Sequence, residues 1–197
     1  MKEKQTMQKE INNLSIKDLL KITNRPGIDE LLTWMDENGF YTAPCSGKYH
    51  LAKQGGLAEH SMNVLRIAVN LACELYVEKG KFLPKGFADS IILCSLIHDL
   101  GKAGQYGKPN YLKTIADPEN RPYETNKNLL YIPHEVRSIV IAQQFIELTE
   151  EEQFAILYHN GLYGELQAIR GKETPLYMIL HFADMWASRV TEKEDKK

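Results

Sequence analysis

No apolar run in this chain comes near the roughly 20 residues that a helix needs to cross a bilayer. Membrane insertion is therefore not expected. The N-terminus, MKEKQTMQKE, lacks the apolar core of a signal peptide. Cysteine is scarce. Cys45, Cys73 and Cys94 lie far apart and form no CxxC pair. That leaves no disulfide framework and points to a reduced, cytoplasmic protein. An excess of one charge is also lacking. Lys and Arg total 24 against 26 Asp and Glu, a formal net charge of -2. This argues against gripping long nucleic acid by bulk positive charge, while leaving room for a local basic patch. No internal repeat divides the chain, and no segment alternates as a half-buried strand does.

What is present suits one globular domain. The chain has 197 residues, 43% of them hydrophobic and 25% charged. Ser15 to Ile22 and Gly27 to Asn38 read as short helices, the second opened by Pro26 and stopped by Gly39. An irregular stretch, Tyr41 to Gly56, follows. A long helix is expected from about Leu57 to Lys79, with Leu57, His60, Val64, Ile67, Leu71 and Leu75 on its apolar stripe. Ala88 to Leu100 is apolar nearly all round, as a central buried helix is, and Gly101 ends it. Gly101 to Pro133 is a long connection rich in Gly, Pro, Asn and Tyr, of a kind that is often functional. Helices are then expected over His134 to Glu147, from Thr149 to His159, and from Thr174 to about Thr191. Thr149 and Glu152 have the spacing of a capping box. The fold class is all-α. A helical extension occupies 1–40, the main domain 41–190 and a charged tail 191–197, with both chain ends expected to fray.

His60, the pair His98 and Asp99, His134, His159 and Asp184 each fall at or near the end of one of these helices. Imidazoles and carboxylates are ligands for divalent transition metals. Adjacent residues project about 100° apart on a helix, so His98 and Asp99 reach one ion only near the helix end, or else serve two. Taken singly, each residue has a plainer explanation. His60 suits a hydrogen-bonded core histidine, His134 a helix start, His159 a helix-end cation and Asp184 a partner of Arg189. Together those explanations must be five unrelated ones, and one or two bound ions explain all five positions at once.

The stretches GGLAEHS around His60, LIHDLGK around His98 and Asp99, and HFADMWAS around Asp184 resemble the HD superfamily of metal-dependent phosphohydrolases. The resemblance covers about residues 41 to 190. The order H…HD…H…H…D, with His134 and His159 inserted, is similar to the branch that holds two metals. It implies a helical HD bundle in which His60, His98 and Asp184 hold one ion and His134 and His159 the other, with Asp99 between them. The stretch KYHLAKQGGLAEH and the His181–Asp184 spacing are also similar to the HD part of YhaM-type 3′–5′ exoribonucleases. Only about 40 residues precede the HD region here, leaving no room for the oligonucleotide-binding barrel of those enzymes. Small stand-alone bacterial and phage HD proteins are the better likeness.

Such a site implies hydrolysis of a phosphate ester by a metal-bound hydroxide, with Mn, Fe, Co, Ni or Mg as the ion. Two ions about 3.5–4 Å apart clamp nucleophile and phosphoryl group together. Asp99 would be catalytic as the bridge. Lys102, just past the helix end, would neutralise a phosphate oxygen, unless it is a solvated surface lysine. Gly55 and Gly56 would offer free amides to an anion at the start of the His60 helix. His50 and Lys53 could add donors there. Tyr106, with Tyr111, Tyr123 and Tyr131, could stack on a base or simply pin the loop. His181 shares a face with Asp184 as a phosphate contact or a core histidine. Cys94, one turn before His98, reads as a small buried residue. The expected substrate is a nucleotide, a cyclic nucleotide or a short oligonucleotide, and short single-stranded nucleic acid is a candidate partner. A di-iron oxygenase with the same ligand order and a non-catalytic nucleotide sensor are the alternatives.

Overall fold

The computed structural model of the chain describes residues 13–77, 83–161 and 169–193. The charged first ten residues, the expected helix end at Lys79 and the last four residues of the tail lie outside these. Within them the chain is mostly helical, an all-α bundle with two small hairpins. Among the described residues, no helix is long and apolar enough to cross a membrane.

Helix α1 (Ile16–Ile22) opens on a capping box, in which the Ser15 hydroxyl accepts from the Asp18 amide and Asp18 accepts from the Ser15 amide. Helix α2 (Ile28–Glu37) starts at Gly27, whose φ is +84°. A Cβ there would lie 1.8 Å from the Phe145 carbonyl oxygen, so both backbone angle and space demand glycine. Leu19, Leu20, Leu31 and Met35 bury their side chains in the same core as the rest of the bundle.

The centre is the pair α3 (Gly56–Val77) and α4 (Lys85–Ile97). Along α3, Leu57, His60, Ser61, Val64, Leu65, Ala68 and Ala72 are buried, which is the helical period expected of its inner face. Leu75 departs from the sequence reading: it is 43% exposed. In α4, Leu93 to Ile97 are all buried, and the helix packs against α1, α3, α6 and α7. Replacing a side chain such as Leu96 with Ala here typically costs about 2–5 kcal/mol.

The long connection is not irregular throughout. A 3-10 turn covers Leu100–Lys102. Strand β1 (Gly104–Gln105) then pairs antiparallel with β2 (Lys108–Pro109), and β3 (Tyr111–Lys113) with β4 (Tyr123–Thr125). Tyr106 and Gly107 both have positive φ, 55° and 71°, as a tight two-residue hairpin turn requires. The sequence reading contained no strand. These strands are two or three residues long, and alternation is readable only over four or more.

Helix α5 (His134–Ala142) stops five residues short of the expected Glu147. The Gln144 and Phe145 amides bond to Ile141 and Ala142, three residues back. The chain thus tightens and brings the Phe145 carbonyl against Gly27. Helix α6 (Glu150–Tyr158) has the expected capping box of Thr149 and Glu152. Glu152 is fully buried, pairs with Arg25 and accepts from Ser90 Oγ at 2.6 Å, tying α6 to α4 and to the α1–α2 turn. Helix α7 (Pro175–Trp186) starts at the Thr174 cap and runs on into a π-helical turn, Ala187–Thr191. That turn drops Glu192 into the interior, where it is 8% exposed. The tail is therefore not frayed at its first residues.

Candidate metal centre

Five helix ends converge at the middle of the bundle. His60 comes from the first turn of α3, His98 caps α4, Asp99 follows it, His134 begins α5, His159 caps α6, and Asp184 lies near the end of α7. The two oxygens of Asp99 face different imidazoles. Oδ2 is 3.6 Å from His60 Nε2 and 3.5 Å from His98 Nε2. Oδ1 is 3.1 Å from His134 Nε2 and 3.6 Å from His159 Nε2. Asp184 Oδ1 stands 3.1 Å from His60 Nε2. All six residues singled out from the sequence as metal ligands are thus brought together. Asp184 points to His60.

The ring tautomers follow from what the other nitrogens meet. His98 Nδ1 lies 2.9 Å from the Ser95 carbonyl oxygen, and His159 Nδ1 lies 2.7 Å from that of Ile156. A carbonyl only accepts, so both Nδ1 atoms carry the proton. His60 Nδ1 faces the Glu192 carboxylate at 3.0 Å and donates in the same way. With Nδ1 so engaged, each of the three rings turns Nε2 toward Asp99, where its lone pair is available to a cation once Nε2 carries no proton. His60 Nε2 and His98 Nε2 are only 3.3 Å apart. Asp99 Oδ1 is buried and, among the described residues, receives no hydrogen bond. Lone pairs converging on an orphaned carboxylate oxygen call for a cation, so the donor set fits divalent metal.

The electrostatics agree. Burial favours the neutral form of these imidazoles and holds His98 and His134 below their ordinary range. At His60 and His159 burial acts in the same sense but is outweighed. Cys45, Asp184 and Glu192 raise His60, and Asp99 and Asp184 raise His159. A bound cation takes the place of those protons, so metal uptake releases them. Burial works against the Asp99 anion, yet Lys102 and His98 hold its carboxyl well below the usual carboxylate range. The Lys102 ammonium is 2.6 Å from Asp99 Oδ2. It is a partly buried partner of the centre and not a solvated surface lysine.

Other expected contacts separate. Two groups lie at the rim. His50 and His181 line a small cavity of about 100 Å³ together with Lys102, Asn160 and Asp184. His181 Nδ1 donates to the His159 carbonyl oxygen at 2.8 Å and its ring stacks on Tyr177. Two expectations need correction. The Gly55 and Gly56 amides are not free: they donate to the Thr42 and Lys53 carbonyls at 3.1 and 3.0 Å. Gly56 serves packing, since a Cβ there would lie 2.1 Å from the Leu51 carbonyl oxygen. Lys53 forms an exposed ion pair with Glu59 at 2.8 Å, so its ammonium is already engaged. Tyr106 sits at the β1–β2 turn and is 81% exposed.

Sequence reasoning missed four participants. Glu192 orients His60. Cys45 places Sγ 3.3 Å from His50 Nε2 and 3.9 Å from Asp99 Oδ2, and with His50 and His60 forms a further group able to hold a cation. Burial pushes the Cys45 thiol up to about 11, so on its own it stays protonated. Glu135 and Asn160 bond to each other and flank His134, with Glu135 Oε2 3.4 Å from His134 Nδ1. Glu135, adjacent to His134, carried a weak signal. Cys45 and Glu192 carried none, because neither spacing nor periodicity links them to the ligand series.

Comparison with known proteins agrees with this geometry on one point and is silent on others. No curated protein and no solved structure matches the chain. The family model of the HD domain matches residues 57–184, a stretch that contains all six convergent residues and leaves Cys45, His50 and Glu192 outside it. The chain belongs to the HD domain family, and with it to the superfamily of metal-dependent phosphohydrolases.

Proposed function

We propose that the protein is a phosphohydrolase or phosphodiesterase that cleaves a phosphate ester of a nucleotide, a cyclic nucleotide or a short oligonucleotide. The observation that carries this reading is Asp99. Its two oxygens face two separate imidazole pairs, and Lys102 stands at one of them. In this reading His60, His98 and Asp184 would hold one divalent ion and His134 and His159 the other, with Asp99 available to both. Such ions, when bound, lower the pKa of water and screen phosphoryl charge. The residues of the chain supply the rest. Glu192, Ser95 and Ile156 keep three Nε2 atoms aimed inward. Lys102 holds a phosphoryl oxygen as negative charge develops on it. His50 and His181 frame the small cavity beside Asp184 and limit access to the centre. Water adds to phosphorus as the ester P–O bond breaks, giving an alcohol and a phosphate. An ammonium beside Asp99, able to neutralise a phosphoryl oxygen, supports this reading.

The test is a screen of mononucleotides, dinucleotides, cyclic nucleotides and short RNA and DNA with Mn²⁺, Co²⁺ or Mg²⁺ added. Metal-dependent hydrolysis that a chelator abolishes is expected. Oxygen consumption by an iron-loaded protein without hydrolysis would replace the reading with an oxygenase. Tight nucleotide binding with no turnover would replace it with a sensor.

A further inference from the structure

Beside the centre lies a second, larger cavity of about 430 Å³, walled by strand β4, the segment after it and helix α5. Its lining includes His134 and Lys102, so it opens directly from the candidate metal centre. Its volume falls within the range of small-molecule sites and exceeds what one phosphate fills.

Arg137 lines this cavity and is only 4% exposed. Its Nη2 donates to the Leu130 carbonyl oxygen at 3.0 Å. Its Nε and Nη1 are buried and, among the described residues, have no hydrogen-bond partner. No carboxylate of the described residues pairs with it. A buried cation normally has its donors satisfied, because leaving them bare is costly. Arg137 is three residues after His134, so the two side chains share one face of α5. His134 points to Asp99, and Arg137 points into the cavity. Arg121 and Lys127 add two exposed cations to the same lining, against one carboxylate, Glu124. A guanidinium with two free N–H groups matches two oxygens of a phosphoryl group.

We propose that Arg137 determines specificity by binding a second, uncleaved phosphoryl group of the substrate. This rests on the phosphohydrolase reading of the centre and narrows its substrate class to molecules bearing at least two phosphoryl groups. The second group is either the terminal phosphate of a nucleoside bisphosphate or the next phosphodiester of a short strand. Tyr131, exposed at the rim, offers a face for the attached base.

The experiment compares adenosine 5′-monophosphate, adenosine 3′,5′-bisphosphate and a 5′-phosphorylated dinucleotide. Both kcat/KM and calorimetric affinity are measured on the Mn²⁺-loaded full chain. Wild type is expected to prefer the ligands with two phosphoryl groups over the monophosphate. Arg137→Met should shrink that preference by about tenfold or more, and Arg137→Lys should retain part of it. Whichever of the two ligands shows the larger loss identifies the source of the second phosphate. No preference in wild type, or the same preference in Arg137→Met, overturns the proposal and leaves Arg137 as a structural arginine bridged by water. If wild type binds but hydrolyses none of the three, the phosphohydrolase reading fails. Affinity alone then decides, by the same comparison. If Arg137→Met does not fold, Arg137→Lys carries the test: it keeps the charge but loses the two-pronged donor, so a preference unchanged there overturns the proposal too.

Discussion

The Nδ1 atom of His60 lies 3.0 Å from both carboxylate oxygens of Glu192, a residue 132 positions further along the chain. The same carboxylate accepts from Asn63 Nδ2 at 3.0 Å. Both ring and carboxylate are buried. This contact sets which nitrogen of His60 carries the proton, and it makes the other nitrogen a better donor to a cation.

Glu192 should therefore tune metal affinity without touching the ion. Glu192→Ala is expected to weaken binding about 10–100-fold, the usual effect of removing such a partner. Glu192→Gln should weaken it less, since an amide oxygen still accepts from Nδ1. Competition against a chelator of known affinity measures both. Wild-type affinity in Glu192→Ala would mean that His60 is oriented by its packing alone.

Asp99→Ala is expected to abolish hydrolysis and to reduce metal content at both imidazole pairs, because one carboxylate faces both. His134→Ala and His159→Ala should each remove one ion per chain and weaken turnover without abolishing it. Elemental analysis alongside rate is the measurement. Unchanged metal content in both histidine variants would show a single-ion centre, with those histidines left to contact substrate.

Lys102→Met should separate two roles. Losing a donor to a developing negative charge typically lowers kcat by about 10²–10³. Metal affinity should stay level or rise, because the ammonium sits 2.6 Å from the Asp99 oxygen that also faces His60 and His98. Two positive charges compete for that oxygen. Wild-type kcat in Lys102→Met would contradict the first role, and weakened metal affinity would contradict the second.

Gly101 links fold to centre. A Cβ at this position would lie 2.4 Å from the His134 carbonyl oxygen and 2.9 Å from Arg137 Cβ. Helix α5 can approach the end of α4 this closely only over a glycine. Gly101→Ala should cost about 1–3 kcal/mol of stability as α5 is pushed away. Metal should be lost from the His134–His159 side before the His60–His98 side. Thermal melting and metal stoichiometry check the two parts separately.

Glu152 makes a control far from the chemistry. Glu152→Ala would leave Arg25 and Ser90 without their buried partner, and removing one side of a buried pair typically costs about 3–5 kcal/mol. Metal content per folded molecule should not change. A loss of metal at temperatures where the variant is fully folded would place Glu152 in the centre's support.

Much of the architecture was legible before any coordinates. Helices α1 and α6 announced themselves through Ser15 with Asp18 and Thr149 with Glu152, since a capping box is made by residues three apart. The helical period of α3 put His60 inside with Val64 and Ala68. The two hairpins were not legible, because strands of two or three residues show no period. The end of α5 was missed because nothing local to Gln143–Glu147 reveals that Phe145 must meet Gly27.

For the centre the division is similar. His60, His98, Asp99, His134, His159 and Asp184 could be named from the chain, since ligand types at successive helix ends form a pattern along it. The sequence by itself thus determined the helices, their inner faces and the residues able to meet at a metal. Tertiary structure alone decided that Glu192 supports His60, that Lys102 pairs with Asp99, that the Gly55 and Gly56 amides are already taken, and that Arg137 is buried with donors to spare. The reason is physical. Periodicity and capping act over three or four residues, whereas hydrogen-bond satisfaction in a core is settled by whichever distant group the packed helices bring within 3 Å.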